Sequence, residues 1–77
     1  SNTQYDELYN WLKINNQSAL RYLYSRENYV DSNDRMIANF PEHIDAWLLK
    51  NCPIQWVLER LHQQYSQSTL DLLQQTY

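Results

Sequence analysis

Apolar residues recur at helical spacing along most of the chain. Tyr5, Leu8, Tyr9 and Leu12 follow the i, i+3, i+4, i+7 pattern and predict a first helix over 4–14. Asn15-Asn16 closes it, since Asn tolerates the left-handed conformation that ends a helix where glycine is lacking. Leu20, Leu23, Tyr24 and Val30 predict a second helix over 17–30, with residues 25–28 on or near its solvated side. Asp31-Ser32-Asn33-Asp34, a cluster of cap and turn formers, opens a short helical segment holding Met36 and Ile37. Asn39-Phe40-Pro41-Glu42 has the form of a capping box and starts a helix over 40–50, with Phe40, Ile44, Trp47 and Leu48 on one face. Asn51-Cys52-Pro53 stops that helix. Ile54, Val57, Leu58, Leu61 and Tyr65 then predict the cleanest amphipathic helix of the chain, over 53–65. Beyond it two readings stay open. Ser68 caps a last helix carrying Leu70, Leu73 and Tyr77, or 53–77 is one long helix bent near Ser66. No period-2 run survives, so no strand is predicted.

Short links between short helices give an all-α fold: one compact bundle of four or five helices, with the restarts at Pro41 and Pro53 making it partly orthogonal. The chain reads as a single helical domain over 1–77, with residues 1–3 disordered or derived from a tag and left out of the fold. The expected core is Leu8, Leu12, Leu20, Leu23, Ile37, Phe40, Ile44, Leu48, Val57, Leu58, Leu61 and Leu73.

Composition narrows the functions. The 77 residues include no glycine, which counts against a P-loop, a dinucleotide-binding turn and type I′ hairpins. One cysteine excludes an internal disulfide and any Cys₄ or Cys₂His₂ zinc site. No stretch approaches the roughly 20 apolar residues that span a bilayer, and no signal peptide is visible, so an intracellular, cytoplasmic location without membrane contact is expected. A chain this short buries only about 60–65% of the surface its unfolded form exposes. Its stability then rests on a dense core or on burial against a partner.

Candidate chemistry is thin. Cys52 stands at a helix start, where a thiol's pKa falls, and His43 or His62 would have to serve as its base, but no elbow or oxyanion-hole motif accompanies them. His43 and Asp45 are two apart and point away from each other on a helix, so they cannot hold one ion together. Counted from Asp31 as a calcium loop, position 5 is Arg35 and position 6 is Met36, and both fail the pattern. Asp6, Glu7, Glu42, Asp45 and Glu59 all fall where a cap or a solvated face explains them. No catalytic residue, metal, cofactor or small-molecule substrate is expected.

Helix, short turn, helix over 41–65 has the outline of a helix-turn-helix, and helix 53–65 would offer Gln55, Glu59, Arg60, His62 and Gln63 to a duplex. This is the alternative function. Charge opposes it: residues 31–77 carry Arg35, Lys50 and Arg60 against six acidic groups, and affinity for nucleic acid comes mainly from phosphate neutralisation.

The aromatic surplus is the most informative feature. Three Trp and seven Tyr exceed what one buried stripe per helix can take in. Trp11, Tyr22, Tyr29 and Trp56 fall off the apolar stripes, and exposed rings of this kind form binding hot spots. The expected function is therefore a non-catalytic protein–protein interaction module, either an adaptor domain of a larger protein or a small self-associating subunit. Its partner is another protein or a second copy, as in a homodimer. The expected contact residues are Trp11, Tyr22, Tyr29 and Trp56, with Arg21, Arg26 and Arg60 as a polar rim.

One local likeness accords with that reading. Pro41-Glu42-His43-Ile44-Asp45-Ala46-Trp47 is similar to a Pro-Glu-His-aliphatic-x-small-Trp stretch in the theta subunits of bacterial DNA polymerase III, small helical proteins that bind the proofreading subunit. The likeness covers seven residues of 77, the flanking sequence departs from that family, and theta-type proteins are more basic. No site residue is carried over.

Overall fold

The computed structural model of the chain describes residues 3–23 and 39–77. Every element among them is helical, so the fold is all-α. Contacts divide the chain into two compact units, one up to Phe40 and one from Pro41 onward. The expected segment around Met36 and Ile37, and residues 24–30 of the expected second helix, lie outside the described residues.

The first unit begins with α1, Thr3–Asn15. Leu8 and Leu12, one turn apart, are 1% and 0% exposed and form its buried face. Tyr5 and Tyr9 stack beside them, with ring centroids 5.7 Å apart. The Asn16 N–H donates to the Leu12 carbonyl at 2.7 Å and completes the helix. Asn16 itself is extended, with φ −159°, and not left-handed as the sequence suggests.

A 3-10 helix, Gln17–Tyr22, follows and packs on α1 through the fully buried Ala19. Over residues 17–22 this corrects the expected α-helix. The bonds close after three residues, from Ala19 N–H to Asn16 O at 3.1 Å and from Leu23 N–H to Leu20 O at 3.0 Å. The Ser18 hydroxyl donates to the Asn16 side-chain oxygen at 2.7 Å, at the start of this helix. Leu23 then turns extended, at φ −83° and ψ 131°. In this tighter helix Leu20 and Leu23 are half-buried rather than core.

The second unit holds α2 (Glu42–Asn51), α3 (Gln55–Gln64) and α4 (Gln67–Thr76). Helix α2 packs against both of the others. Accordingly it is buried over a broad arc: Ile44, Asp45, Ala46 and Leu48 are all within the core. Its start differs from the expected capping box. Pro41 occupies the cap position with no side-chain bond, and its carbonyl accepts from the Ile44 and Asp45 N–H groups, both at 3.0 Å. Proline's fixed φ suits that place, and Asn39 lies two residues too early to cap. Phe40, expected on the helix face, precedes the helix and is half-buried.

Between α2 and α3 the chain runs extended through Cys52, Pro53 and Ile54, and both Cys52 and Ile54 are 6% exposed. Helix α3 buries Val57 and Leu61, while Leu58 is half-buried. Tyr65 ends it in extended backbone, at φ −118° and ψ 145°. Ser66, not Ser68, caps α4: its hydroxyl accepts from the Thr69 N–H at 3.3 Å. The two readings of 53–77 thus resolve into two helices joined at Tyr65-Ser66. Helix α4 turns Leu70 and Leu73 inward, at 2% and 4% exposure.

Leu48 is 0% exposed and Ile14 is 84% exposed. Leu48→Ala is expected to cost about 2–5 kcal/mol, the range for an emptied leucine site, whereas Ile14→Ser should stay within about 0.5 kcal/mol. Urea unfolding followed by tryptophan fluorescence checks both.

Candidate functional site

Asp45 is 2% exposed, among the most deeply buried side chains described. This corrects the expectation of a solvated or capping carboxylate. It sits in the first turn of α2, where the helix dipole favours negative charge. The Tyr65 hydroxyl, from the α3–α4 joint, donates to Asp45 Oδ2. One hydrogen bond therefore ties α2 to the point where the chain changes direction.

The electrostatics follow from burial. Loss of water raises the Asp45 pKa above 3.8; the Tyr65 bond and the Arg60 charge pull the other way, and Glu42 adds a smaller push upward. Burial lowers the Arg60 pKa below the ordinary guanidinium range, and Asp45 partly restores it. Burial and the Asp45 bond together raise the Tyr65 phenol well above 10.0. A carboxylate this deep is withdrawn from any substrate in solution. Its contact with Tyr65 is a cross-brace within the second unit.

The structure places the expected contact residues as follows. Trp11, Tyr22, Trp56 and Arg60 are half-buried and Arg21 is exposed, while Tyr29 and Arg26 lie outside the described residues. Arg21 and Tyr22 are brought together: the guanidinium lies 5.0 Å over the ring and Nη2 donates to the Tyr22 hydroxyl at 2.8 Å. Arg60 feels the opposite charge of Asp45, which offsets part of the cost of its half-burial. On α3 the other residues that a helix-turn-helix would use (Gln55, Glu59, His62 and Gln63) are exposed.

The histidines and the thiol are separated by depth. Cys52 is buried, whereas His43 and His62 are exposed. His62 Nδ1 lies 2.7 Å from the Leu58 carbonyl, which can only accept, so Nδ1 carries a proton there. The His43 ring is tilted against Tyr77, with centroids 6.5 Å apart. Lys50 Nζ donates to the Tyr77 backbone oxygen at 2.5 Å, joining the end of α2 to the end of α4. Among the described residues no three of His, Cys, Asp and Glu gather as metal ligands, and no helix is long and apolar enough to cross a membrane.

Comparison with protein-family models, with curated proteins and with solved structures returns no match to this chain.

Sequence reasoning missed three residues. Asp45 was legible in principle: Ile44, Ala46, Trp47, Leu48 and Leu49 surround it, so α2 has little solvated face to offer a carboxylate. Ile14 and Leu72, exposed at 84% and 61%, are the others. Each is an aliphatic residue off the apolar stripe, a signal overshadowed by the aromatic surplus.

Because the folded state raises the Asp45 pKa, the group favours folding more as it takes up a proton. From Asp45 alone, stability rises as the pH falls from neutral toward 3.8. Asp45→Asn keeps an oxygen for the Tyr65 hydroxyl without the buried charge. The variant is expected to melt at or above the parent near neutral pH, with an advantage that shrinks on acidification. Thermal unfolding at a series of pH values checks this.

Proposed function

We propose that the chain is a non-catalytic protein–protein interaction module, an adaptor domain or a small self-associating subunit, working in the cytoplasm. A single buried thiol suits a reducing compartment. The observation that carries the reading is on α1. Ile14, 84% exposed, lies one turn beyond the half-buried Trp11 on the same side of the helix. An aliphatic residue beside a partly covered indole is the type of centre around which binding energy concentrates. Arg21 and Tyr22, paired on the 3-10 helix, supply the kind of amphipathic contacts that suit the edge of such a patch.

A photo-crosslinking side chain at Ile14 tests the reading, with one at the exposed Gln55 as control. Expected is a discrete adduct from position 14, to a second copy or to another protein, that position 55 does not give. Equal labelling from the two sites, or none, removes the reading. Ile14→Glu should weaken the captured association at least about tenfold, or about 1.4 kcal/mol, while leaving the melting temperature nearly unchanged.

A further inference from the structure

Helix α4 presents an anomaly. Its inward residues are Leu70 and Leu73, and its outward face is Gln67, Ser68, Asp71, Gln74 and Gln75, with Leu72 standing 61% exposed among them. In the bent arrangement of α3 and α4 Leu72 stays largely in water. On an uninterrupted helix it has a place. Position 72 lies eighteen residues, or five full turns, past Ile54, and so falls directly in line with it. Ile54, Leu58, Leu61, Tyr65, Ser68 and Leu72 then fall on one line at steps of four and three, the face on which Ile54 and Leu61 are already buried in the second unit.

The joint that prevents this is slight. It comprises Tyr65 and Ser66, both extended, and is held by the Ser66 cap and by the Tyr65 bond to Asp45. No glycine or proline lies between α3 and α4. Turning both residues helical would release Tyr65 from Asp45, swing α4 away from α2 and uncover Leu70 and Leu73. The surface already fitted to those leucines is α2, and a second copy offers the same surface.

We propose that the α3–α4 joint is a hinge with a second, straight setting, in which 55–76 form one helix and α4 packs on α2 of a second copy of this chain. Reciprocal exchange closes a two-fold dimer in which every α2 is covered again, by the partner's α4. In the straightened helix Leu72 comes into line with the apolar face of α3, which the bent form denies it. This goes beyond the α1 patch and uses a different surface.

Two substitutions separate the settings. Gln67 is the first residue of α4, where proline is well tolerated, and Ser66 before it has the extended backbone that a proline requires, at φ −68° and ψ 160°. Gln67→Pro thus fits the bent form and breaks the straight one. Ser66→Ala removes the cap and favours continuation of the helix. The full chain and both variants are compared by sedimentation velocity over a wide concentration range. Spin labels at Gln55 and Gln75, both exposed, report the intrachain distance in labelled chains diluted with unlabelled ones.

The expected result is a dimer whose association constant rises at least tenfold in Ser66→Ala and falls at least tenfold in Gln67→Pro. In the dimer the labelled backbone positions should move to about 30 Å apart, the span of twenty helical residues. A Gln67→Pro chain that associates as the parent does, a dimer that keeps the bent distance, or a parent that stays monomeric throughout would each overturn the hinge. Ile14→Glu is the discriminating control: association lost there but unchanged in Gln67→Pro leaves the α1 patch standing and removes the exchange.

Discussion

Burial of the Asp45 carboxylate is the constraint on which the second unit turns. Helix α2 is covered by both α3 and α4, and on its first turn Asp45 is shut away from water while Glu42 stays exposed. A buried carboxylate needs partners, and Tyr65 supplies a hydrogen bond while Arg60 supplies opposing charge. Meeting that need fixes where Tyr65 lies, and so where α3 ends. Ser66 is then placed to cap α4, and the course of α4 decides that Leu70 and Leu73 face inward while Leu72 faces out. Buried polar contacts of this kind add little net stability compared with an apolar replacement. In this chain the contact selects one helix arrangement out of two that the apolar pattern allows.

That division of labour explains what could be read from the sequence. Pairs one turn apart (Leu8 with Leu12, Ile44 with Leu48, Val57 with Leu61) are visible as periodicity and are buried as expected. They make the all-α class legible. The remaining features lie outside that periodicity. The 3-10 helix at 17–22 carries half-buried Leu20 at a spacing that also suits an α-helix, so a count of apolar spacing does not tell the two apart. Asp45 reads as surface because carboxylates ordinarily are surface; its burial follows only once α2 is known to be covered on two sides. Ser68 reads as the cap from the sequence, whereas in the structure Ser66 fills that place, its hydroxyl accepting from the Thr69 N–H.

The candidate contact surfaces were half legible for a similar reason. Looking for aromatic residues off the stripe found Trp11 and Trp56, which keep part of their surface in water, and Arg21 with Tyr22, which the fold pairs. Arg60 reads as a free rim cation in the sequence, yet it feels the opposite charge of Asp45. Ile14 and Leu72 escape because one aliphatic residue on a polar face is unremarkable by itself. Each acquires meaning from its neighbours: Ile14 from Trp11 a turn earlier, Leu72 from a line of apolar residues that begins at Ile54, just before the preceding helix.

The absence of glycine bears on how these helices end. A left-handed glycine closes a helix by reversing the sign of φ, and a helix closed that way does not readily continue. Here the exits are extended: Leu23, Cys52 and Tyr65 have φ of −83°, −79° and −118° with ψ of 131°, 124° and 145°. From such a residue the helical region is reached mainly by rotating ψ, with φ keeping its sign. In the second unit there are two such junctions. At the α2–α3 junction Pro53 follows Cys52, and a proline has no N–H for the helix ladder and collides with the preceding turn, so that corner is permanent. At the α3–α4 junction nothing covalent opposes continuation; the bend is held by the Ser66 cap, the Tyr65 bond to Asp45, the burial of Leu70 and Leu73 and the Lys50 bond to the Tyr77 carbonyl. Whatever frees Tyr65 from Asp45 therefore acts on that corner alone, while the Pro53 corner keeps its direction.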